Sequence, residues 1–309
     1  MKPHALPAAC AGRRFRAALA AVPLVACSAD GLVTLGRGAP DPIFGEDGGR
    51  PVAAINSNGD DEQPTLTEDL LEIYFTSRRP GPGNGDVWCA KRRSRTVAFD
   101  LPHLVVEVST EAQEVSPAIS RDGLTLWLGS DRANGLGGLD IYQAERPSRD
   151  ATWGPLRPVT ELNSSSDDVP RPPAQQERVM PFASKREGGE YQIYLAERPS
   201  RQAAFDHIEP TLALRQEGGG MAGGFLSEDG LELLFHREGD GGGDLWLAWR
   251  RSFEEPFEHE IALGGVNGEA SERDPWMNSD HTRFFFATNR LAGKGFDIFA
   301  TTLDLPAFE

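Results

Sequence analysis

The chain has 309 residues, with 31 Lys and Arg against 47 Asp and Glu, a formal charge of −16, 34 glycines and 23 prolines. That acidic balance excludes nucleic-acid binding through a general basic surface. Abundant turn formers, with no useful helical period beyond the N-terminus, predict many short strands in one large all-β domain or two smaller ones.

Lys2, Arg13, Arg14 and Arg16 precede an apolar run over residues 17–26 and then Cys27. A basic segment followed by an apolar run too short to span a bilayer is the pattern of an export signal. Leu24-Val25-Ala26-Cys27 resembles the bacterial lipobox, in which cleavage precedes a cysteine that receives lipid. Cys27 is therefore the expected lipidation site, the alternative being an ordinary cleaved signal with a chance cysteine. Residues 1–27 hold four of the basic residues and none of the acidic ones, leaving 27 basic against 47 acidic, a net −20. Such a body meets anionic lipid only if anchored. Cys10 falls in the signal, so an acylated Cys27 leaves Cys89 without a disulfide partner. Residues 28–49 are rich in Gly, Pro and Asp and read as a flexible tether.

From residue 50 onward the chain repeats. Strand starts recur at Asp86-Val87-Trp88, Asp140-Ile141-Tyr142, Gln192-Ile193-Tyr194, Asp244-Leu245-Trp246 and Asp297-Ile298-Phe299, spaced 54, 52, 52 and 53 residues apart. Pro64, Pro117, Pro170 and Pro275 open the first strand of four copies, with Gly223 in the remaining one. Ala144-Glu145-Arg146-Pro147-Ser148-Arg149 returns as Ala196-Glu197-Arg198-Pro199-Ser200-Arg201. Within the second copy, Asp122-Gly123 has the chemistry of a tight hairpin turn, and Leu124, Leu126 and Leu128 alternate with Thr125, Trp127 and Gly129 at the strand period. A period near 50 residues with four short strands is a propeller blade. The copies lie near 63–108, 114–162, 167–215, 221–263 and 272–303. The last lacks a fourth strand, while Arg50-Pro51-Val52 upstream matches Arg157-Pro158-Val159, a fourth strand. These features predict a five-bladed β-propeller of four-stranded blades, closed by a strand at about 50–55 that completes the last blade and leaves no open edge.

Glu114, Ser116-Pro117, Ser120, Asp122-Gly123, Ser130, Arg132 and Asp140-Ile141-Tyr142 resemble the TolB-like family of propeller repeats. The resemblance covers residues 50–309 with varying fidelity; Gln175-Gln176-Glu177, Asp280-His281 and Asp69-Leu70 depart from its Asp-Gly turn. It implies a periplasmic or surface binding platform, although related propellers also accompany peptidases and polysaccharide lyases.

Arg79, Arg132, Arg186 and Arg290 share one repeat position, two residues after Ser77, Ser130, Ser184 and Thr288. They fall on the face that also carries Asp167, Asp168, Glu272 and Asp274. Two expectations follow: a polar binding mouth, or arginines that brace neighbouring loops or the Asp of the Asp-Ile-Tyr strand. Function sits more often where copies differ, which singles out Asp167, Asp168, Arg171, Glu272, Arg273, Asp274 and Trp276. Trp276 and Arg273 would stack on or clamp a glycan or peptide, unless Trp276 packs between blades. The arginines near 92–95, 146–149, 198–201 and 250–251 read as solvated turns on the outer rim.

Enzyme signatures are poor: no Gly-x-Ser-x-Gly elbow, no His pair at ligand spacing, and an Asp-box-like stretch at 120–127 one residue short. No catalytic residue, metal or cofactor is expected. The reading is an envelope-anchored, monomeric, non-catalytic propeller that recognises a protein, peptide or glycan and meets the membrane through its lipid only. The alternative is a hydrolase or lyase acting on polysaccharide through channel-mouth carboxylates. Converging acids or a His with shifted pKa in the central funnel would favour the enzyme; arginines and carboxylates paired without remainder would favour the binding module.

Overall fold

A computed structural model describes residues 43–44, 48–214, 219–239 and 242–304. Five four-stranded antiparallel sheets are arranged in a ring, a five-bladed β-propeller. Blade one is Asp61–Leu66, Glu72–Ser77, Asp86–Lys91 and His103–Leu104; blade two is Glu114–Ile119, Thr125–Ser130, Asp140–Glu145 and Arg157–Pro158. Blade three is Asp168–Pro170, Val179–Ser184, Gln192–Glu197 and His207–Pro210, and blade four is Met221–Leu226, Glu232–Gly239, Gly242–Trp249 and His259–Ala262. Blade five takes Glu272–Met277, Phe284–Thr288 and Asp297–Thr301 from the C-terminal end and Arg50–Pro51 from the N-terminal end.

The closing strand is shorter than the expected 50–55. Arg50 pairs with Ala300 and Pro51 with Phe299, and Val52 N–H then donates to Ile298 O. The chain turns there because Ile55 is fully buried, and the Asn56 amide brackets Ile298 by donating to its carbonyl and accepting from its N–H, both at 2.9 Å. Asn163 does the same for Ile141 and Asn267 for Leu245. The outer strand is thus a short pairing followed by a side-chain clasp, which recurs in blades two, four and five. Upstream, Ile43–Phe44 pair with Leu303–Asp304, so residues read from sequence as tether contribute a strand. The export signal and Cys27 lie outside the described residues. No helix among the described residues is long and apolar enough to cross a membrane.

The core lies between blades. Tyr74, Val87 and Cys89 of blade one pack on Leu126, Leu128 and Tyr142 of blade two, and Trp127 and Ile141 pack on Phe182 and Tyr194 of blade three. The strand alternation explains this: Leu126 and Leu128 point to one neighbour and Trp127 to the other. Trp127 is fully buried, and truncating it to Ala would cost about 3–5 kcal/mol.

Turn chemistry departs from the Asp-Gly expectation in three blades without changing the hairpin. Gly123 and Gly230 take φ of +76°, but Leu70, His281 and the run Gln175-Gln176-Glu177 also hold positive φ. Leu70 is 1% exposed, so burial of its side chain offsets a backbone cost of about 1–2 kcal/mol.

Four innermost strands carry a bulge at the channel. Pairing registers slip between Glu62 and Thr65, Val115 and Ala118, Ala222 and Phe225, and Arg273 and Trp276. The bulged residues Gln63, Ser116, Gly223 and Asp274 have φ between +51° and +67°. Proline follows three of them, and its missing N–H is tolerated where the ladder is already broken. Blade three differs because Asp168 and Pro170 are two residues apart, where the other carboxylates and prolines are three apart. It has no bulge, and its next residue is Arg171.

Candidate functional site

Arginine organises the loop face blade by blade. Arg132 Nη2 donates to Glu114 Oε1 and Val108 O, both at 3.0 Å, joining an innermost strand to the turn that follows the preceding blade's outer strand. Arg79 does so with Asp61 at 2.6 Å and Ile55 O at 2.5 Å, Arg186 with Asp168 at 2.9 Å and Leu162 O at 2.6 Å, and Arg290 with Glu272 at 2.9 Å and Val266 O at 2.7 Å. Nε of each donates to the Ser or Thr two residues earlier, and each guanidinium lies over an aromatic ring, as Arg132 does over Tyr142 at 4.9 Å. In blade four Met221 replaces the carboxylate, and Arg237 sits two positions earlier, where the other blades have Ser or Thr. It still reaches Leu214 O at 2.8 Å and pairs instead with Glu260 at 2.7 Å.

Arg132, Asp168, Glu272 and Arg290 are therefore engaged within the blades. The bracing expectation holds in its loop form, whereas the Asp of the Asp-Ile-Tyr strand has other partners: Asp140 accepts from the N–H groups of Leu136 and Gly137. Asp167 accepts from Leu139 N–H and Tyr191 OH and lies 3.3 Å from Lys185. Trp276 is 3% exposed and packs edge-on against Phe225 and Phe285, between blades four and five. The outer rim is also more ordered than expected. Arg146, Arg198 and Arg250 are buried; their Nε groups donate to Gly123, Glu177 and Gly230 carbonyls while aromatic rings cover them.

The remaining three sequence candidates, Arg171, Arg273 and Asp274, meet at the channel. They line a cavity of about 230 Å³ together with Glu62, His236 and Glu238. Arg273 Nη1 is 3.4 Å from Glu62 Oε1, its Nη2 is 3.7 Å from Glu238, and its guanidinium lies 3.9 Å over the Phe296 ring. Burial, reinforced by the Asp274 charge, pushes the Glu62 carboxyl up to about 7. His236 Nδ1 accepts from Asp274 N–H at 3.2 Å, and its Nε2 faces Glu238 at 3.6 Å. Burial holds its pKa below the ordinary imidazole range, so the ring is neutral near pH 7. Gly223 supplies the room: a Cβ there would stand 2.7 Å from His236 Nδ1. Arg171 is 1% exposed, and burial lowers its pKa to about 10.

Glu62 was visible in the sequence only as one acid in a loop, and His236 only as one of several scattered histidines. Their signal was positional. Glu62, Val115, Val169, Ala222 and Arg273 occupy the same place beside the bulge, and this place is charged in two adjacent blades of the ring and apolar in the other three. By the sequence criterion the funnel is mixed: it holds acids and a His, and also arginines.

No family model and no curated protein matches the chain. Its fold is similar to that of TolB from Acinetobacter baumannii, at 15% identity and TM-score 0.51 over 90% of this chain and 66% of that one. A protein of Agrobacterium tumefaciens assigned as a TolB aligns at 12% identity and TM-score 0.51, covering 81% of each chain. A Trypanosoma rangeli sialidase aligns at 10% identity and TM-score 0.49, over 85% of this chain and 60% of that one. At these identities the likeness is one of fold.

Proposed function

We propose that the protein is an exported, envelope-anchored binding propeller that recognises a protein, peptide or glycan at the channel mouth of its loop face, without catalysing a reaction. The observation that carries this reading is the division of labour among charges. Those repeated in four of the five blades are engaged in holding the blade, as is Arg237 with Glu260 in blade four, whereas those at the channel differ from blade to blade and surround a cavity. The basic and apolar N-terminal residues ending at Cys27 support export and lipidation. A peptide and glycan array probed with the chain tests the reading: Arg273→Glu and Glu190→Trp at the mouth should abolish whatever wild type captures, while Arg178→Glu, in the turn between the first two strands of blade three and so on the opposite face, should not. Capture that is indifferent to the mouth variants contradicts it. For the anchor, palmitate labelling should be lost in Cys27→Ala; unchanged labelling removes the anchor.

A second reading, a hydrolase or lyase acting on polysaccharide, is favoured by one observation: Glu62, Asp274 and His236 share the cavity, and Glu62 has a carboxyl suited to general acid work near pH 7. Against it, the His236 ring nitrogens face Asp274 N–H and Glu238, and the cavity admits a group rather than a sugar chain. Turnover of an envelope polysaccharide that falls at least about a hundredfold in Glu62→Gln would establish this second reading over the first.

A further inference from the structure

We infer that the channel cavity is a carboxylate-binding site, in which the guanidiniums of Arg171 and Arg273 hold a single carboxylate carried by the partner. This rests on the reading of the loop-face channel as a binding surface and names the chemistry recognised there. Arg171 leaves blade three directly after Pro170 and crosses the channel, where its Nη2 donates to Pro275 O of blade five at 2.8 Å. Blade four, lying between, presents Gly223 and Gly224 on its innermost strand. Arg171 Nε and Nη1 have no hydrogen-bond partner among the described residues, nor does Arg273 Nε. The Asp274 charge favours ionised Arg171 without an ion-pair contact.

A guanidinium is retained in a dry place at a cost unless its N–H groups are satisfied. Four of the five blade arginines meet that requirement with a carboxylate, a carbonyl and a hydroxyl, and the fifth, Arg237, leaves only its Nε unpartnered; Arg171 meets it with one carbonyl and leaves two nitrogens unpartnered. Charge fixes the valence of what is missing. Among the buried groups, two guanidiniums face Asp274 and a Glu62 that is largely protonated below pH 7, which leaves one positive charge; Glu238, 45% exposed at the mouth and 3.7 Å from Arg273, is screened by water and stays outside that count. One monoanion balances the site; a dianion such as phosphate overfills it. About 230 Å³ accommodates a carboxylate with roughly one residue or one small ring behind it.

A peptide terminus and a sugar uronate share this chemistry, and small probes separate them. In the 15N-labelled full chain, the Arg171 Nε–H signal is the one absent from Arg171→Lys. N-acetylglycine (peptide arm) or glucuronate (sugar arm) should shift it saturably, and N-acetylglycinamide should not. Arg273→Met should weaken the response at least about tenfold, as expected for loss of a charge-assisted hydrogen bond. Because Arg273 is more exposed than Arg171, this variant keeps the test open even if Arg171→Lys folds poorly. No saturable shift with either acid, an equal shift with the amide, or an unchanged affinity in Arg273→Met overturns the inference. Array capture that survives Arg171→Lys would defeat the carboxylate site while leaving loop-face binding intact; absence of any capture would defeat the binding reading itself.

Discussion

Arg132 donates to Ser130, to Val108 O and to Glu114 and lies over Tyr142, whereas Arg171, more deeply buried, has one carbonyl partner and no carboxylate in contact. The first arrangement repeats around the ring with small variations; the second occurs once. The comparison teaches that a charge can be built into a repeat as a strut, or placed where the repeat breaks and left incomplete. The break is one residue: the shortened spacing from Asp168 to Pro170 removes a bulge and turns the next side chain across the channel. Arg273 illustrates the same point from blade five, where it takes a position that is apolar in blades two, three and four.

Breaking a strut should give the largest effect. Glu114→Ala strips Arg132, Ser130 and Thr110 of their shared acceptor and should cost about 3–5 kcal/mol in urea unfolding, because the guanidinium is left unpaired. Next comes the channel wall. Gly223→Ala puts a methyl at φ +67° and 2.7 Å from His236 Nδ1, which should cost about 1–3 kcal/mol by the same assay and disturb the carboxylate response.

Acidity sharpens the comparison further. Glu62, Glu177 and Glu232 are each pushed up to about 7, chiefly by burial. The folded state therefore binds these protons more tightly than the unfolded chain does. Their contribution is fully present below about pH 4.5 and is lost as pH rises through 7. His236 works against them, since its lowered pKa means stability is lost as pH falls below 6.5. Glu72 and Asp122, whose pKa values lie below the ordinary range despite burial because Arg146 holds the first and the Ser120 hydroxyl and then Arg201 hold the second, lose their contribution only in stronger acid. Unfolding free energy should thus decline from about pH 5 to pH 7 and level off above it, and Glu62→Gln should flatten that decline by up to about 1 kcal/mol per pH unit. The groups acting on Glu62 are Asp274, Arg273, Asp60 and Arg78, so the same substitution reports on the channel. The smallest effect belongs to the rim: Arg95→Met removes a 3.9 Å contact with Asp280 in which both side chains are at least half exposed, and should cost less than about 1 kcal/mol.

The ring was legible because its signals are periodic. Asp140-Ile141-Tyr142 and its counterparts keep one spacing, and the surplus at Arg50-Pro51 matches the deficit after Asp297–Thr301. The struts were legible as a repeated Ser-x-Arg, though their true partner, the innermost-strand carboxylate, depends on register that spacing alone does not set. Arg146, Arg198 and Arg250 looked like solvated turns because a turn arginine and a buried one share the same neighbours in sequence; only the aromatic stacked above each distinguishes them. At the channel, Arg171, Arg273 and Asp274 stood out by differing between copies. Glu62 and His236 did not, since a lone acid and a lone histidine acquire meaning only when five strands bring them to one axis.

The unfolding free energies of Arg132→Met and Arg171→Met, measured side by side in urea at pH 7, test the division of the arginines most directly. Arg132→Met removes the counter-charge of a buried carboxylate and should lose about 3 kcal/mol or more, whereas Arg171→Met removes an incompletely satisfied buried charge at similar volume and should be neutral or stabilising. A loss in Arg171→Met equal to that in Arg132→Met would make Arg171 another strut and contradict the account.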